Sequence, residues 1–409
     1  MEDASEMLHT LMLEDTPAVD RLTECFRSLR NTCAGSSSAQ SELGQQAEVL
    51  QDANSAINMG LSVADNEEWN LCLRISAQFL GNLTVNNTKN QEIVWARFCS
   101  QLKKMAQHGD TKLTNTCLMV LYNILLGCPN LTSDLVSEQE FVGIICDSGA
   151  DGMEFAQYIV EHMLTQDLDW TKVYTSNVSI GGRLFILEIV ENRLKQSGDN
   201  VPVSLVTQLS AQFCQHSECI LRTVADKVDD LEPTEVATLL QLLASCSAHP
   251  PHLQALQGYR NFFINCAFLL KSIHMAGKEQ NNCFSAVPKL SEADDQLQHH
   301  PAFGFKASLV RILGNLCWRH KENQDMMKEL EIIPLLLDCC NIDARNPFII
   351  QWVVLAVRNL CEGNRDNQAV IAGMSRQGLV QSAVLTELGM ALHTDEDNNT
   401  VHIAPMRPS

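Results

Sequence analysis

The sequence predicts an all-α chain built as a solenoid of helical repeats. Three observations carry that expectation: a helix-favouring composition, apolar residues spaced by three and four, and a short phrase that recurs along the chain. The chain has 409 residues, 45% of them hydrophobic but only 6% aromatic. Leu and Ala are the most frequent residues, with Gln and Glu also common, and all four favour helix over strand. A single helical core stops growing near ~250–300 residues, so a chain of this length must divide into domains or extend as a stack.

The recurring phrase fixes the kind of stack. It reads Gly81-Asn82-Leu83 followed by Asn90-Gln91, then Gly314-Asn315-Leu316 followed by Asn323-Gln324, then Arg358-Asn359-Leu360 followed by Asn367-Gln368. In each copy eight residues separate the first Asn from the second, and the last two copies lie 44 residues apart. That period falls within the roughly 40–47 residues of armadillo or HEAT units. Tyr122-Asn123-Ile124 forms a fourth, degenerate copy. The fold class expected is therefore an armadillo/HEAT-like helical-repeat solenoid.

Each phrase ends an apolar stripe. Cys72, Ile75, Phe79, Leu80 and Leu83 recur at helical steps. So do Phe305, Leu309, Ile312, Leu313 and Leu316, and again Ile349, Trp352, Val353, Ala356, Val357 and Leu360. At ~100° per residue these define one buried face, with Trp352 inside it and Asn82, Asn315 and Asn359 at its edge. The second Asn follows a short polar turn, which marks it as the N-cap of the next helix. Pro334 then opens a third helix.

Helical periodicity also covers 18–30, 43–63, 93–108, 112–127, 134–146, 153–165, 180–195, 202–222, 234–246 and 258–276. Polar breaks at Gly35–Ser38, Gly127–Pro129, Gly198–Pro202 and His249–Pro251 separate them. Residues 277–301 show no sustained period and are expected to form a long mobile acidic loop between two lobes, 1–276 and 302–392. Within the second lobe Leu379, Val380, Val384, Leu385 and Leu388 form a stripe suited to capping the stack or to self-association. The tail 393–409, with TDEDNNT and two prolines, is expected to be disordered.

Charge narrows the partners. Lys+Arg number 29 against 49 Asp+Glu, a net −20. No segment is basic enough for nucleic acid or an anionic membrane surface, whereas a basic peptide would be electrostatically welcome. The acidic N-terminus lacks a signal-peptide pattern, and the longest apolar stretch, around 262–270, is far shorter than the ~20 residues a membrane span needs. The sixteen cysteines sit mostly singly on apolar helix faces, so they are expected to be reduced, in a cytoplasmic protein.

Candidate chemistry is thin. Asp147 to Asp151 followed by Gly152 resembles the start of a calcium loop, but the twelfth position is Tyr158 where a bidentate Glu is needed. His299-His300 near Asp294 and Asp295 has no third ligand at helical or CxxC spacing. Cys339-Cys340 diverges on a helix. No phosphate loop, HExxH, nucleophile elbow or dinucleotide fingerprint occurs, so no catalytic residue, cofactor or metal is expected. Asn82, Asn315 and Asn359 remain as candidate peptide- or partner-binding residues, since a row of amides can bond an extended backbone. The competing role is stitching one repeat to the next, which polar repeat residues commonly serve.

Residues 305–371 go beyond generic repeat character. GNLC followed by NQD, then IPLLLDCCNID, NPFI with Trp352, and VRNLCEGN with a final NQ, in that order and spacing, closely resemble the C-terminal domain of the ataxin-10 family. The resemblance covers about a sixth of the chain. It implies an armadillo-like protein of the cytoplasm without catalytic activity, associated with neuron survival, neurite outgrowth and cytokinesis. It also implies self-association, a heterotrimeric G-protein beta subunit and the O-linked N-acetylglucosamine transferase as partners, and perinuclear, midbody or centrosomal placement. The leading expectation is a non-catalytic scaffold that binds proteins. The alternative is an importin-like adaptor holding extended basic peptides along the Asn row.

Overall fold

In a computed structural model, residues 4–63, 66–175, 177–196, 201–225, 231–279, 282–287, 298–374, 390–394 and 401–405 are described. The described residues are helical nearly throughout, and the chain divides into two compact units, Met1–Val190 and Glu191–Ser409.

The first unit begins with α1 (Ala4–Met12), α2 (Val19–Cys33), α3 (Ser37–Gln45), α4 (Ala47–Ser62), α5 (Glu67–Thr84), α6 (Thr88–Ala106) and α7 (Thr111–Gly127). It continues with α8 (Leu131–Ser137), α9 (Gln139–Ala150), α10 (Glu154–Met163) and α11 (Trp170–Thr175), and α12 (Ile180–Gln196) runs through the boundary. Start signals are local. Asn66 caps α5 by accepting from Glu68 N (2.9 Å) and Trp69 N (3.1 Å), and Asp110 caps α7 by accepting from Lys112 N (2.8 Å) and Leu113 N (3.1 Å). The pattern at 43–63 is interrupted at Gln46, whose extended backbone separates α3 from α4. Within this unit α2 lies along α5, α5 along α7, and α7 along α10, each burying its stripe against the next. Phe26 and Phe79, fully buried, meet with ring centroids 6.3 Å apart.

The second unit holds α13 (Val203–His216), a 3-10 stretch Ser217–Ala225, α14 (Leu231–Cys246), α15 (Pro250–Gly258) and α16 (Arg260–Glu279). Then come α17 (Phe305–Leu316), α18 (Lys321–Glu329), α19 (Ile332–Asp338), α20 (Ile349–Cys361) and α21 (Arg365–Ala372). Here α14, α17 and α20 are the successive stacked helices. The stretch 277–301 lies inside this unit, and α16 packs on α17 across it. Its portion 282–287 is anchored. Phe284 is buried, Ala344 N donates to Val287 O (2.8 Å), and Val287 N donates to the Asp343 carboxylate (2.9 Å). Residues 288–297 lie outside the described residues.

Near the end of the chain β1 (Met390–Thr394) pairs antiparallel with β2 (Val401–Pro405), Leu392 opposite Ile403, while 395–400 and 406–409 of the expected tail lie outside the described residues. Five-residue strands are too short for an alternation to be read reliably from sequence. The stripe from Leu379 to Leu388 falls outside the described residues.

One correction and one strained position follow from packing. Trp352 is half-buried and not in the core, because the Arg311 guanidinium lies over its ring at 4.8 Å and takes the place of an apolar cover. Phe348, just before α20, adopts φ 61° while 67% exposed. A left-handed backbone costs a non-glycine residue about 1–2 kcal/mol, and an exposed ring returns little of that. Phe348→Gly is therefore expected to raise stability by about 0.5–1 kcal/mol, because strain relief exceeds the added entropy of the unfolded chain. A urea midpoint at or below that of the parent would show that the ring is gripped by contacts outweighing the strain.

Candidate functional site

The recurring phrase has one structural meaning in all its copies. A helix leaves its last carbonyls without intrahelical donors, and here the Asn-Gln pair of the next helix supplies donors to them. Asn90 Nδ2 donates to Leu83 O (3.0 Å) and Gln91 Nε2 to Thr84 O (2.9 Å). Asn323 donates to Leu316 O (2.9 Å) and Gln324 to Cys317 O (3.2 Å). Asn367 donates to Leu360 O (2.9 Å) and Gln368 to Cys361 O (2.8 Å). The reach is seven residues each time.

The second Asn is thus not the N-cap. That position lies three residues earlier, at Asn87, His320 and Asn364, whose side chains accept from the backbone N–H of Asn90, Asn323 and Asn367 at 3.2–3.3 Å. Between helix end and cap the chain must reverse through the left-handed region. Asn86 (φ 53°), Arg319 (φ 52°) and Gly363 (φ 72°) occupy the same place in the three copies.

The same amides join neighbouring repeats. Gln91 also donates to Asn123 O (2.9 Å), which explains the degenerate copy at Tyr122-Asn123. Gln324 also donates to Asn359 O (2.9 Å) and Glu362 O (3.1 Å), while Asn367 donates to Gln324 O (2.9 Å). Gln40 repeats the arrangement one unit earlier, donating to Asn82 O (2.8 Å) and accepting from Asn90 (2.8 Å). No phrase marks Gln40 in the sequence, since the Asn before it is replaced by Ala39.

The three candidate asparagines face these joints. Asn82 Nδ2 donates to Arg30 O (3.0 Å) at the end of α2, and Asn315 Nδ2 to Ser247 Oγ (2.9 Å) beyond α14. Asn359 Nδ2 donates to Gly314 O (3.0 Å). Asn359 is buried, Asn82 and Asn315 half-buried. Asn315 and Asn359 belong to one unit and Asn82 to the other, so each is placed by its own stack.

The remaining candidates resolve individually. Asp147 lies within α9 and accepts from Ser179 N (3.2 Å) and Oγ (2.6 Å). His300 Nδ1 accepts from Ala302 N (3.1 Å), while Asp294 and Asp295 fall outside the described residues. All sixteen cysteines are free thiols.

One constellation was invisible to sequence reasoning. Cys339 Sγ lies 3.5 Å from His274 Nδ1, and His274 Nε2 lies 2.9 Å from Asp338 Oδ2, in a cavity of about 150 Å3 that Lys278 and Lys306 also line. The partners are more than sixty residues apart in sequence, so only the packing of α16 on α19 brings them together. The order carboxylate–imidazole–sulfur is that of an activated thiol, but the electrostatics are not. Burial pushes the Cys339 thiol up to about 11, and burial lowers the His274 imidazole. The hydrogen bond from Lys278, with that from His274, holds the Asp338 carboxyl below its ordinary range. The site therefore holds a neutral thiol beside a neutral ring at neutral pH, and a neutral thiol is a poor nucleophile.

Residues 305–403 match the family model described as the spinocerebellar ataxia type 10 protein domain. Over 378 residues the chain is 32% identical to ataxin-10 of Xenopus tropicalis, covering 90% of this chain and 77% of that protein. It is 30% identical to human ataxin-10 over 386 residues, 90% of this chain and 79% of that one. An ataxin-10 homolog of Dictyostelium discoideum is 42% identical over 98 residues, 24% of this chain and 16% of its own. The similarity to the vertebrate proteins thus runs through both compact units and well beyond the region whose motifs are legible by eye.

Proposed function

The chain belongs to the ataxin-10 family, and from that premise we propose that it is a non-catalytic scaffold whose stacked helices hold other proteins. The observation that carries this reading is the amide capping of successive helix ends, at Leu83–Thr84, Leu316–Cys317 and Leu360–Cys361. It fixes helix against helix and so presents firm faces of the kind repeat proteins use for binding. The nucleophile-like cluster at Cys339 lacks an ionised thiol. Among the described residues no helix is long and apolar enough to cross a membrane.

The finer roles follow from the family. We take the protein to act in the cytoplasm in neuron survival, neurite outgrowth and cytokinesis, to self-associate, and to engage a G-protein beta subunit and the O-linked N-acetylglucosamine transferase. The Asn315 and Asn359 amides are read as stitches between repeats and not as peptide ligands, because each already has a partner in the preceding repeat.

The test is a quantitative pull-down from cytoplasmic extract with the whole chain and with Asn315→Ala/Asn359→Ala. The variant is expected to lose about 1–2 kcal/mol of stability per removed amide yet retain the same proteins while folded. Selective loss of partners from a folded variant would return the Asn row to ligand binding. Retention of no protein by either chain would remove the scaffold reading.

A further inference from the structure

We propose that the half-buried rings of Tyr122, Phe155 and Tyr158, where α10 meets α7, form the docking site for an arginine in a basic segment of a partner protein. The proposal rests on the scaffold reading, and names the chemistry of the partner and the surface that takes it.

The three rings are in mutual contact. Centroid to centroid, Tyr122 of α7 lies 6.3 Å from Phe155 and 5.5 Å from Tyr158 of α10, and Phe155 meets Tyr158 edge-on at 5.9 Å. Every other ring pair among the described residues includes a buried ring. In this cluster each ring keeps part of its area in water. Met119 and Leu126 stand three residues before and four after Tyr122, on the same face of α7, and Leu126 is 52% exposed. The Tyr158 hydroxyl donates to the Glu154 carboxylate at the edge of the patch. That bond, with the charge of Glu161 nearby, holds the hydroxyl above its ordinary range.

The charge around the rings selects a cation. Between Lys112 and Lys172 the sequence has nine carboxylates and neither lysine nor arginine, the longest stretch of the chain without either. That stretch supplies nearly all of α7 and the whole of α8, α9 and α10, which pack on one another within the first unit. It already draws in a cation from outside, since Lys103 of α6 pairs with Glu138 at 3.3 Å and Glu140 at 3.2 Å. A ring face attracts a cation, and a planar guanidinium can lie flat on it while donating to a carboxylate beside it. The second unit uses that stacking within itself, with Arg311 over Trp352 at 4.8 Å and Arg319 over Trp318 at 4.9 Å. Among the described residues no lysine or arginine covers Tyr122, Phe155 or Tyr158 in the same way. An acidic segment would be repelled here, and a second copy would bring the same −20 to the contact.

Fluorescence anisotropy measures binding of labelled Gly-Ser dodecapeptides, carrying four Arg, four Lys or four Glu, to the whole chain. The Arg peptide is expected to bind, about threefold ahead of the Lys peptide, and the Glu peptide not at all. Tyr158→Leu should weaken Arg-peptide binding about tenfold and Glu154→Gln about threefold, whereas Tyr158→Phe, which keeps the ring, should retain most of it. Glu322→Gln removes an exposed carboxylate of the second unit and should leave binding unchanged. Circular dichroism melts confirm that each variant is folded, and the exposed Glu154 keeps the test decisive if Tyr158→Leu unfolds. Parent affinity in Tyr158→Leu and Glu154→Gln, equal loss in Glu322→Gln, or a Lys or Glu peptide bound as tightly as the Arg peptide would each overturn the proposal. Loss of self-association in Tyr158→Leu with Arg-peptide binding intact, read by sedimentation, would overturn it in favour of a second copy. Absence of Arg-peptide binding, with the same extract proteins retained by the parent and by Tyr158→Leu, would overturn it while leaving the scaffold reading intact.

Discussion

Gln324→Leu is expected to lower the stability of the Glu191–Ser409 unit by about 2–4 kcal/mol, although it replaces one side chain by another of similar size. Gln324 is 2% exposed, and its Nε2 lies 3.2, 2.9 and 3.1 Å from the carbonyls of Cys317, Asn359 and Glu362. Cys317 O has a second donor in His320 N at 3.3 Å, so the loss falls on the other two. Leucine would press an apolar branch against both and exclude the water that could replace the amide, leaving each unsatisfied at about 1–3 kcal/mol. Gln368 provides the comparison. It occupies the equivalent place one repeat on, but is exposed and bonds only Cys361 O, at 2.8 Å. Gln368→Leu should cost under about 1 kcal/mol, since water can take over an exposed carbonyl. Urea midpoints of the two variants read the difference directly. Equal costs would mean that the amide works through packing and not through the carbonyls it caps.

Those amides show what the sequence could and could not disclose. Repetition made the Asn-Gln phrase visible, and apolar steps of three and four made the stacked helices visible. The second Asn reads as an N-cap because it is a polar residue opening a helix. Asn87, His320 and Asn364 hold that position three residues before it, and His320 is not a residue a capping rule favours. Periodicity puts Trp352 in the core because it reports a residue's angle on its helix, not what lies opposite. That neighbour is Arg311, forty-one residues earlier in the chain. Gln40 and the Cys339–His274–Asp338 cluster share the same obstacle. Their partners come from helices distant in sequence, and no spacing rule reaches across a repeat.

Gly314→Val is expected to cost about 3 kcal/mol or more, against the general rule that glycine inside a helix is the weaker residue. Elsewhere, replacing a mid-helix glycine by alanine gains about 1 kcal/mol from backbone entropy. At Gly314 an added Cβ would stand 2.8 Å from both Cα and Cβ of Ala356. One of these is backbone and neither can rotate away, so α17 and α20 must separate. Separation also stretches the Asn359 bond to Gly314 O, now 3.0 Å, and lifts Trp352 from beneath Arg311. Gly314→Ala should therefore destabilise by about 1–2 kcal/mol despite its better helix propensity, and valine by more because its branches meet the same wall. The mechanism predicts a partner effect. In Gly314→Ala/Ala356→Gly the space removed on one helix is restored on the other, so the pair should recover part of the loss that the single changes would add up to. A double-mutant cycle on thermal midpoints gives that coupling. Additive costs would show that the spacing of α17 and α20 does not depend on this contact and rests on the Asn359 stitch.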